Sequence, residues 1–240
     1  DHILCDPELP AVPVLRLTGS ELTQRMREYV ALQVLRCHRR QAELDAQQRA
    51  GEWRLLPVPL AGERAVGVMG LGAMGRAAAE TLAGLGFRVA GWSRTPHALD
   101  AIEVFHGEAG RDAFLARSEI LVCLLPLTAG TRGILDRTLF ERLPSGTWVI
   151  NAARGEHLVE ADLLAALDSG WLAGAVLDVF AQEPLPPEHP FWGHPRITVT
   201  PHVASRIDPE LGSRLLAATI RRFRAGDPLP EQRVDPARGY

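Results

Sequence analysis

The chain of 240 residues is 46% hydrophobic with a net charge of −3, enough apolar content for a sizeable globular core and no basic surplus of the kind that marks a nucleic-acid partner. All 26 basic residues are arginine, which excludes any mechanism built on a lysine base or a lysine Schiff base. No run approaches the ~18 consecutive apolar residues of a membrane helix, and Cys5, Cys37 and Cys123 lie far apart and imply no disulfide framework, so a cytoplasmic protein without a membrane partner is expected.

The opening Asp1-His2-Ile3-Leu4-Cys5 reads as the interior of a longer segment. Thr18 or Ser20 is placed to cap a helix whose apolar positions Leu22, Met26, Tyr29, Val30, Val34 and Leu35 recur at helical spacing. Continued through the polar run to residue 49, that helix would span about 45 Å at 1.5 Å per residue, long enough to pack on a second domain or subunit. Gly51, Pro57 and Pro59 mark its end. From there strand-like runs at 65–69, 87–92, 120–125, 148–152, 173–179 and 197–200 alternate with helical stretches, and a last helix is expected over 209–225. This rhythm predicts an α/β fold, a Rossmann-type doubly wound parallel sheet with helices on both faces.

The first strand feeds Gly70-Leu71-Gly72-Ala73-Met74-Gly75, the Gly-x-Gly-x-x-Gly spacing of a dinucleotide phosphate turn. Gly70 permits the tight turn, Gly72 the approach of a pyrophosphate, and Gly75 close packing of helix on strand. A sharp strand-to-helix turn needs the same glycines. The second strand, however, ends in Trp92-Ser93-Arg94-Thr95, where a Rossmann unit meets the adenosine ribose. A guanidinium with flanking hydroxyls suits a 2′-phosphate, whereas NAD asks for a carboxylate, so NADP is expected, with NADPH preferred over NADH.

Later strands end in Asn151-Ala152-Ala153-Arg154-Gly155, in Asp178-Val179-Phe180 leading to Glu183-Pro184, and in Thr200-Pro201-His202. One Arg, one Glu and one His thus reach the edge where an open α/β sheet holds its ligands. His189, His194 and His202 have no cysteine joining them, so no metal is expected. Trp53 and Trp192 read as packing anchors, with the border of the cleft or of a partner subunit as the alternative.

The ordered motifs Gly70 to Gly75, Leu125-Pro126-Leu127-Thr128, Asn151 to Gly155, Asp178 to Leu185 and Thr200-Pro201-His202 resemble the D-isomer-specific 2-hydroxyacid dehydrogenases over essentially the whole chain. Within that family the segments 92–95 and 163–170 and the terminal Arg238-Gly239-Tyr240 are most similar to the glyoxylate/hydroxypyruvate reductase A group. The resemblance implies reduction of a small 2-oxo acid, glyoxylate or hydroxypyruvate, with the NADPH expected above, and the long helix over 20–49 suggests a two-fold homodimer in which the crossing helices pack together. Chemistry is consistent with that: Arg154 offers a fork for the carboxylate, His202 a proton donor that titrates near neutrality, and Glu183 a carboxylate that holds the imidazole and favours its charged form. The resemblance further implies that Asp178 lies beside the nicotinamide carboxamide. It places Leu125, Pro126 and Thr131 along the cofactor cleft, with Ala152, Ala153 and Arg154 beside the ring.

In the family the substrate domain is flavodoxin-like and discontinuous, and little of its N-terminal part is expected in this sequence. The implied division is a substrate-domain remnant at 1–17, a long crossing or dimerisation helix at 18–56, an NADP-binding domain at 57–205, and a helix and tail at 206–240 that return to the substrate domain. On that reading NADP binding is retained while turnover is weak or absent. The turn also resembles that of the 3-hydroxyacid dehydrogenases, but these use a catalytic lysine and place the turn at the N-terminus. Formate dehydrogenases carry Gln where Glu183 stands. A corepressor-like, cofactor-binding scaffold shares the order of motifs and stays open as a non-catalytic alternative.

Overall fold

A computed structural model describes residues 12, 14–15, 19–96, 98–100, 102–207 and 209–227. All but three residues of the expected remnant at 1–17, together with Cys5, Thr18 and the tail that carries Arg238-Gly239-Tyr240, lie outside the described residues.

Among the described residues seven strands form one parallel sheet: β1 Ala65–Met69, β2 Arg88–Ser93, β3 Glu103–His106, β4 Ile120–Cys123, β5 Thr147–Asn151, β6 Leu172–Leu177 and β7 Ile197–Val199. Their order is β3-β2-β1-β4-β5-β6-β7, so the chain winds outward from β1 in one direction and then from β4 in the other. The reversal opens a crevice between the carboxyl ends of β1 and β4, where such sheets take their ligands. Alternation along each strand supplies the two faces. Val66, Val68, Ile120, Val122, Ile150 and Val176 enter one apolar core, while Met69, Leu121, Cys123, Val149, Ala175 and Leu177 enter the other.

Helices α1 Ser20–His38 and α3 Ala73–Gly84 cover the first face; α4 Gly107–Leu115, the short α5 Arg137–Phe140 and α6 Glu160–Asp168 cover the second. The buried stripe of α1, Met26, Tyr29, Val30, Val34 and Cys37, packs into the core that holds Val66, Val68, Ala78, Ala79 and Leu82. α1 therefore shares its core with the sheet. Leu35, expected on that stripe, is exposed.

Several expectations need correction. The helix anticipated over 20–49 is interrupted: α1 ends at His38, α2 Gln41–Ala50 follows, and Arg40 between them is left-handed with φ 56°. No glycine or proline marks the break. The apolar stripe ends at His38, whose ring meets Phe87 edge-on at 5.1 Å, and α2 buries only Gln47. Strand β3 was not anticipated, because it is a four-residue edge strand with both ends exposed. The helix after the glycine turn starts at Ala73, inside the motif itself. Trp53 is no packing anchor, being 98% exposed on the extended segment after α2, and Trp192 is exposed as well. The last helix, α7 Pro209–Arg224, leaves Leu216, Ile220 and Phe223 exposed. No helix among the described residues is long and apolar enough to cross a membrane.

Candidate active site

The glycine turn joins β1 to α3 with no room for side chains at two of its three glycines. A Cβ on Gly75 would lie 1.7 Å from the carbonyl oxygen of Gly70, and one on Gly70, whose φ is +99°, 2.7 Å from that of Leu124. Gly72 differs: nothing lies within 4 Å of the place its Cβ would occupy. It is the N-cap of α3, with no side chain capping the helix and open space beside it. Leu71 is buried, in a fit that needs Gly91 on β2, where a Cβ would approach its side chain to 2.7 Å. This cradle fits a pyrophosphate, which the amides and the dipole of α3 would hold.

At the end of β2, Trp92 is buried and donates from Nε1 to the carbonyl of Gly107 at 2.9 Å. Ser93 donates its hydroxyl to the Thr95 carbonyl at 2.6 Å, and Arg94 and Thr95 stand exposed. The residues Ser93-Arg94-Thr95 at this strand end include no carboxylate. Across the crevice, Leu125 is buried and Thr131 donates its hydroxyl to the Pro126 carbonyl at 2.7 Å while accepting from the Thr128 amide at 2.8 Å. The loop after β4 is thereby tied to itself. Below it, burial pushes the Cys123 thiol up to about 12, which leaves it an uncharged core group.

Arg154 follows β5 on a loop held from both sides. Asn151 donates to the Arg154 carbonyl at 2.9 Å and accepts from the Ala153 amide at 3.2 Å; the Arg154 amide bonds His157 Nδ1 at 3.2 Å. Ala152 and Ala153 are buried, whereas Arg154 is exposed and donates from Nη1 to the Ala153 carbonyl at 2.6 Å. The next residue, Gly155, packs directly on the backbone that follows β6: a Cβ there would sit 1.8 Å from the carbonyl carbon of Phe180. This contact brings the Arg154 loop against the loop carrying Glu183.

Glu183 and His202 form a pair, with His202 Nδ1 2.7 Å from Glu183 Oε2. The other carboxylate oxygen accepts from the Phe180 amide at 2.9 Å, so the carboxylate is fixed before it meets the imidazole. The pair uses Nδ1 and leaves Nε2 outside it, on a side chain that is 49% exposed. His202 has φ +51°, a strained conformation for a side-chain-bearing residue that persists only where neighbours over-determine it. Here its amide donates to the Asp178 carbonyl at 2.8 Å, and the Asp178 carboxylate accepts from the amides of Val203 and Ala204 at 3.0 and 2.9 Å. Asp178 is only 1% exposed. It also accepts from the Thr200 hydroxyl at 2.6 Å, which in turn accepts from the Tyr29 hydroxyl on α1 at 2.8 Å. Burial raises the Tyr29 phenol well above its ordinary value, so it stays a donor.

The structure thus brings Glu183 to His202 and, through Gly155, the loop that carries Arg154 against the loop that carries Glu183. Asp178 is turned into the loop that presents His202. Sequence reading gave no supporting role at the site to Tyr29, Thr200, Asn151 or His157. Thr200 beside Pro201-His202 was the one local signal, since a hydroxyl next to a strand-end histidine has a partner to find. His189 and His194 pair separately with Glu160 at 3.2 Å and Asp168 at 3.6 Å.

Residues 31–204 match the family described as D-isomer specific 2-hydroxyacid dehydrogenase, NAD binding domain. The chain is 46% identical over 233 residues to the glyoxylate/hydroxypyruvate reductase A of Photorhabdus laumondii, an alignment covering 97% of this chain and 74% of that protein. Among solved structures it is similar to a D-isomer specific 2-hydroxyacid dehydrogenase from Xanthobacter autotrophicus Py2 in complex with NADPH and MES, with TM-score 0.94, 45% identity, and coverage of 100% of this chain and 99% of that one. It is equally similar to an NADPH-dependent glyoxylate/hydroxypyruvate reductase from Sinorhizobium meliloti in complex with NADP and sulfate, with TM-score 0.94, 44% identity, and coverage of 100% and 77%.

Proposed function

Because this chain belongs to the D-isomer-specific 2-hydroxyacid dehydrogenases, we propose that it reduces a small 2-oxo acid, glyoxylate or hydroxypyruvate, with NADPH, and that Arg154, Glu183 and His202 are its catalytic residues. The observation that carries this reading is the Glu183–His202 pair at 2.7 Å, set against the Arg154 loop at the sheet edge where the glycine turn opens. NADPH, when bound, supplies the hydride to the carbonyl carbon. The Arg154 fork holds the substrate carboxylate and draws electron density toward the carbonyl oxygen, which fixes which face of the ketone is presented. His202 Nε2 delivers a proton to that oxygen as charge develops on it, and Glu183 accepts from Nδ1–H and keeps the ring aimed. In the oxidising direction His202 takes the same proton back.

The cofactor's phosphates are assigned to the turn Gly70 to Gly75, and its 2′-phosphate to Arg94 with Ser93 and Thr95. Leu125, Pro126, Thr131, Ala152 and Ala153 line the cleft. The test is NADPH binding by fluorescence followed by glyoxylate- and hydroxypyruvate-dependent NADPH oxidation. Failure to bind NADPH overturns the cofactor assignment, and binding without oxidation by either acid leaves the non-catalytic, cofactor-binding reading in place of the reductase. Arg94→Leu is expected to weaken NADPH about 10- to 100-fold, the loss of one or two charge-assisted hydrogen bonds, and to leave NADH affinity nearly unchanged. Equal losses for both nucleotides would remove Arg94 from the phosphate site.

A homodimer is part of the same reading. Leu32 and Leu35 on α1, Leu44 on α2, and Trp53 and Leu55 beyond it, the last two 98% and 90% exposed, are apolar side chains left open to solvent, of the kind that oligomers cover. Light scattering at micromolar concentration is expected to give twice the chain mass, and Trp53→Arg with Leu55→Arg to give the monomer. A wild-type monomer would count against the dimer.

A further inference from the structure

His157 is fully buried and takes no part in the reaction described above, yet it touches both walls of the cleft. Its Nδ1 lies 3.2 Å from the Arg154 amide and its Nε2 3.3 Å from the Pro126 carbonyl. The backbone amide can only donate and the carbonyl can only accept. Nδ1 is therefore the acceptor and Nε2 carries the hydrogen, a single neutral tautomer. The approach of Nδ1 to the Arg154 carbonyl at 3.1 Å is then not a bond, and that carbonyl accepts instead from Asn151 at 2.9 Å and from the His157 backbone amide at 3.2 Å. Burial lowers the His157 pKa, in keeping with a neutral ring.

The consequence is a bridge between two loops. Arg154 is the root of the guanidinium assigned to the substrate carboxylate. Pro126 belongs to the loop after β4 that lines the cofactor side, and its carbonyl is already held by Thr131 at 2.7 Å. Resting on the function proposed above, we infer that His157, as the neutral Nε2–H tautomer, is a positioning residue that sets the distance between the substrate's carboxylate anchor and the cofactor cleft. An error of about 1 Å in such an alignment costs about 100-fold in rate, so one buried ring is enough to matter.

Two polar variants divide the bridge. In His157→Asn the side-chain oxygen stands where Nδ1 stood and still accepts from Arg154, but nothing reaches Pro126. In His157→Gln the amide reaches Pro126 but offers no acceptor in the place of Nδ1. Both are expected to raise the KM for glyoxylate about tenfold or more, the scale set by misalignment, and the Gln variant more than the Asn variant, with the dissociation constant of NADPH little changed. Nitrogen-15 NMR of the unliganded wild-type protein is expected to give a pyrrole-like Nε2 and a pyridine-like Nδ1 for His157 at neutral pH. The opposite tautomer or an imidazolium overturns the inference whatever the kinetics. So does an unchanged KM in both variants, or a loss of NADPH affinity as large as the loss for glyoxylate. Wild-type protein that binds NADPH and fails to reduce glyoxylate and hydroxypyruvate sinks the functional reading instead, while the tautomer still decides the bridge.

Discussion

Replacing His202 with alanine is expected to lower kcat for glyoxylate reduction by about 10²- to 10⁴-fold, the usual worth of a positioned general acid, with NADPH still bound. The phosphate cradle lies on β1 and α3, at the far side of the crevice from β7, so removing the imidazole leaves it intact. Stability should change little: the side chain is half exposed and makes one ion-pair contact, while the strained backbone at this position is held by Asp178 through main-chain amides that alanine retains. Glu183→Gln gives the companion measurement. Both carboxylate oxygens of Glu183 act as acceptors, one from the Phe180 amide and one toward His202 Nδ1. A carboxamide has one oxygen, so it must either present its NH₂ to the Phe180 amide or turn it toward Nδ1 and force the opposite tautomer on the ring. An intermediate loss of kcat is expected. A His202→Ala protein that turns over at the wild-type rate would take the proton transfer away from this residue.

The residues of the candidate site were more legible in the sequence than the contacts that hold them in place, for a physical reason. Buried parallel strands are continuous apolar runs, and the segments at β1, β4 and β5 announce themselves that way. Arg154, Glu183 and His202 stand at strand ends, where polar residues interrupt such runs. β3 gives no comparable signal, because an edge strand half open to solvent needs no apolar run. The break at Arg40 gives none either, since it comes from where the buried stripe stops and not from a helix-breaking residue. The supports are harder still. Tyr29 reaches Thr200 across 171 residues of sequence, and His157 reaches Pro126 across 31. Periodicity explains Tyr29 as one more core residue on α1, and only the folded chain shows that its hydroxyl finishes a chain of bonds ending at the His202 loop.

Gly155→Ala is expected to cost more than its single methyl suggests, and to do so without touching substrate or cofactor. No positive φ is involved at this position, so the backbone conformation itself accepts alanine and the effect is one of space alone. The added Cβ would lie 1.8 Å from the Phe180 carbonyl carbon, 2.2 Å from the Ala181 nitrogen and 2.2 Å from the Phe180 oxygen. All three atoms are main chain, and no side chain there can swing away to make room. The loops after β5 and β6 must separate by more than an ångström, which overpacking data put at about 1–3 kcal/mol of stability. That separation moves Arg154 away from the Glu183–His202 pair, and misplacement on that scale costs about 100-fold in kcat/KM. A lowered melting temperature with NADPH binding retained and glyoxylate turnover sharply reduced is the expected combination. Wild-type turnover in Gly155→Ala would mean that the two loops are free to part without consequence, and that Arg154 and the Glu183–His202 pair do not act on one substrate.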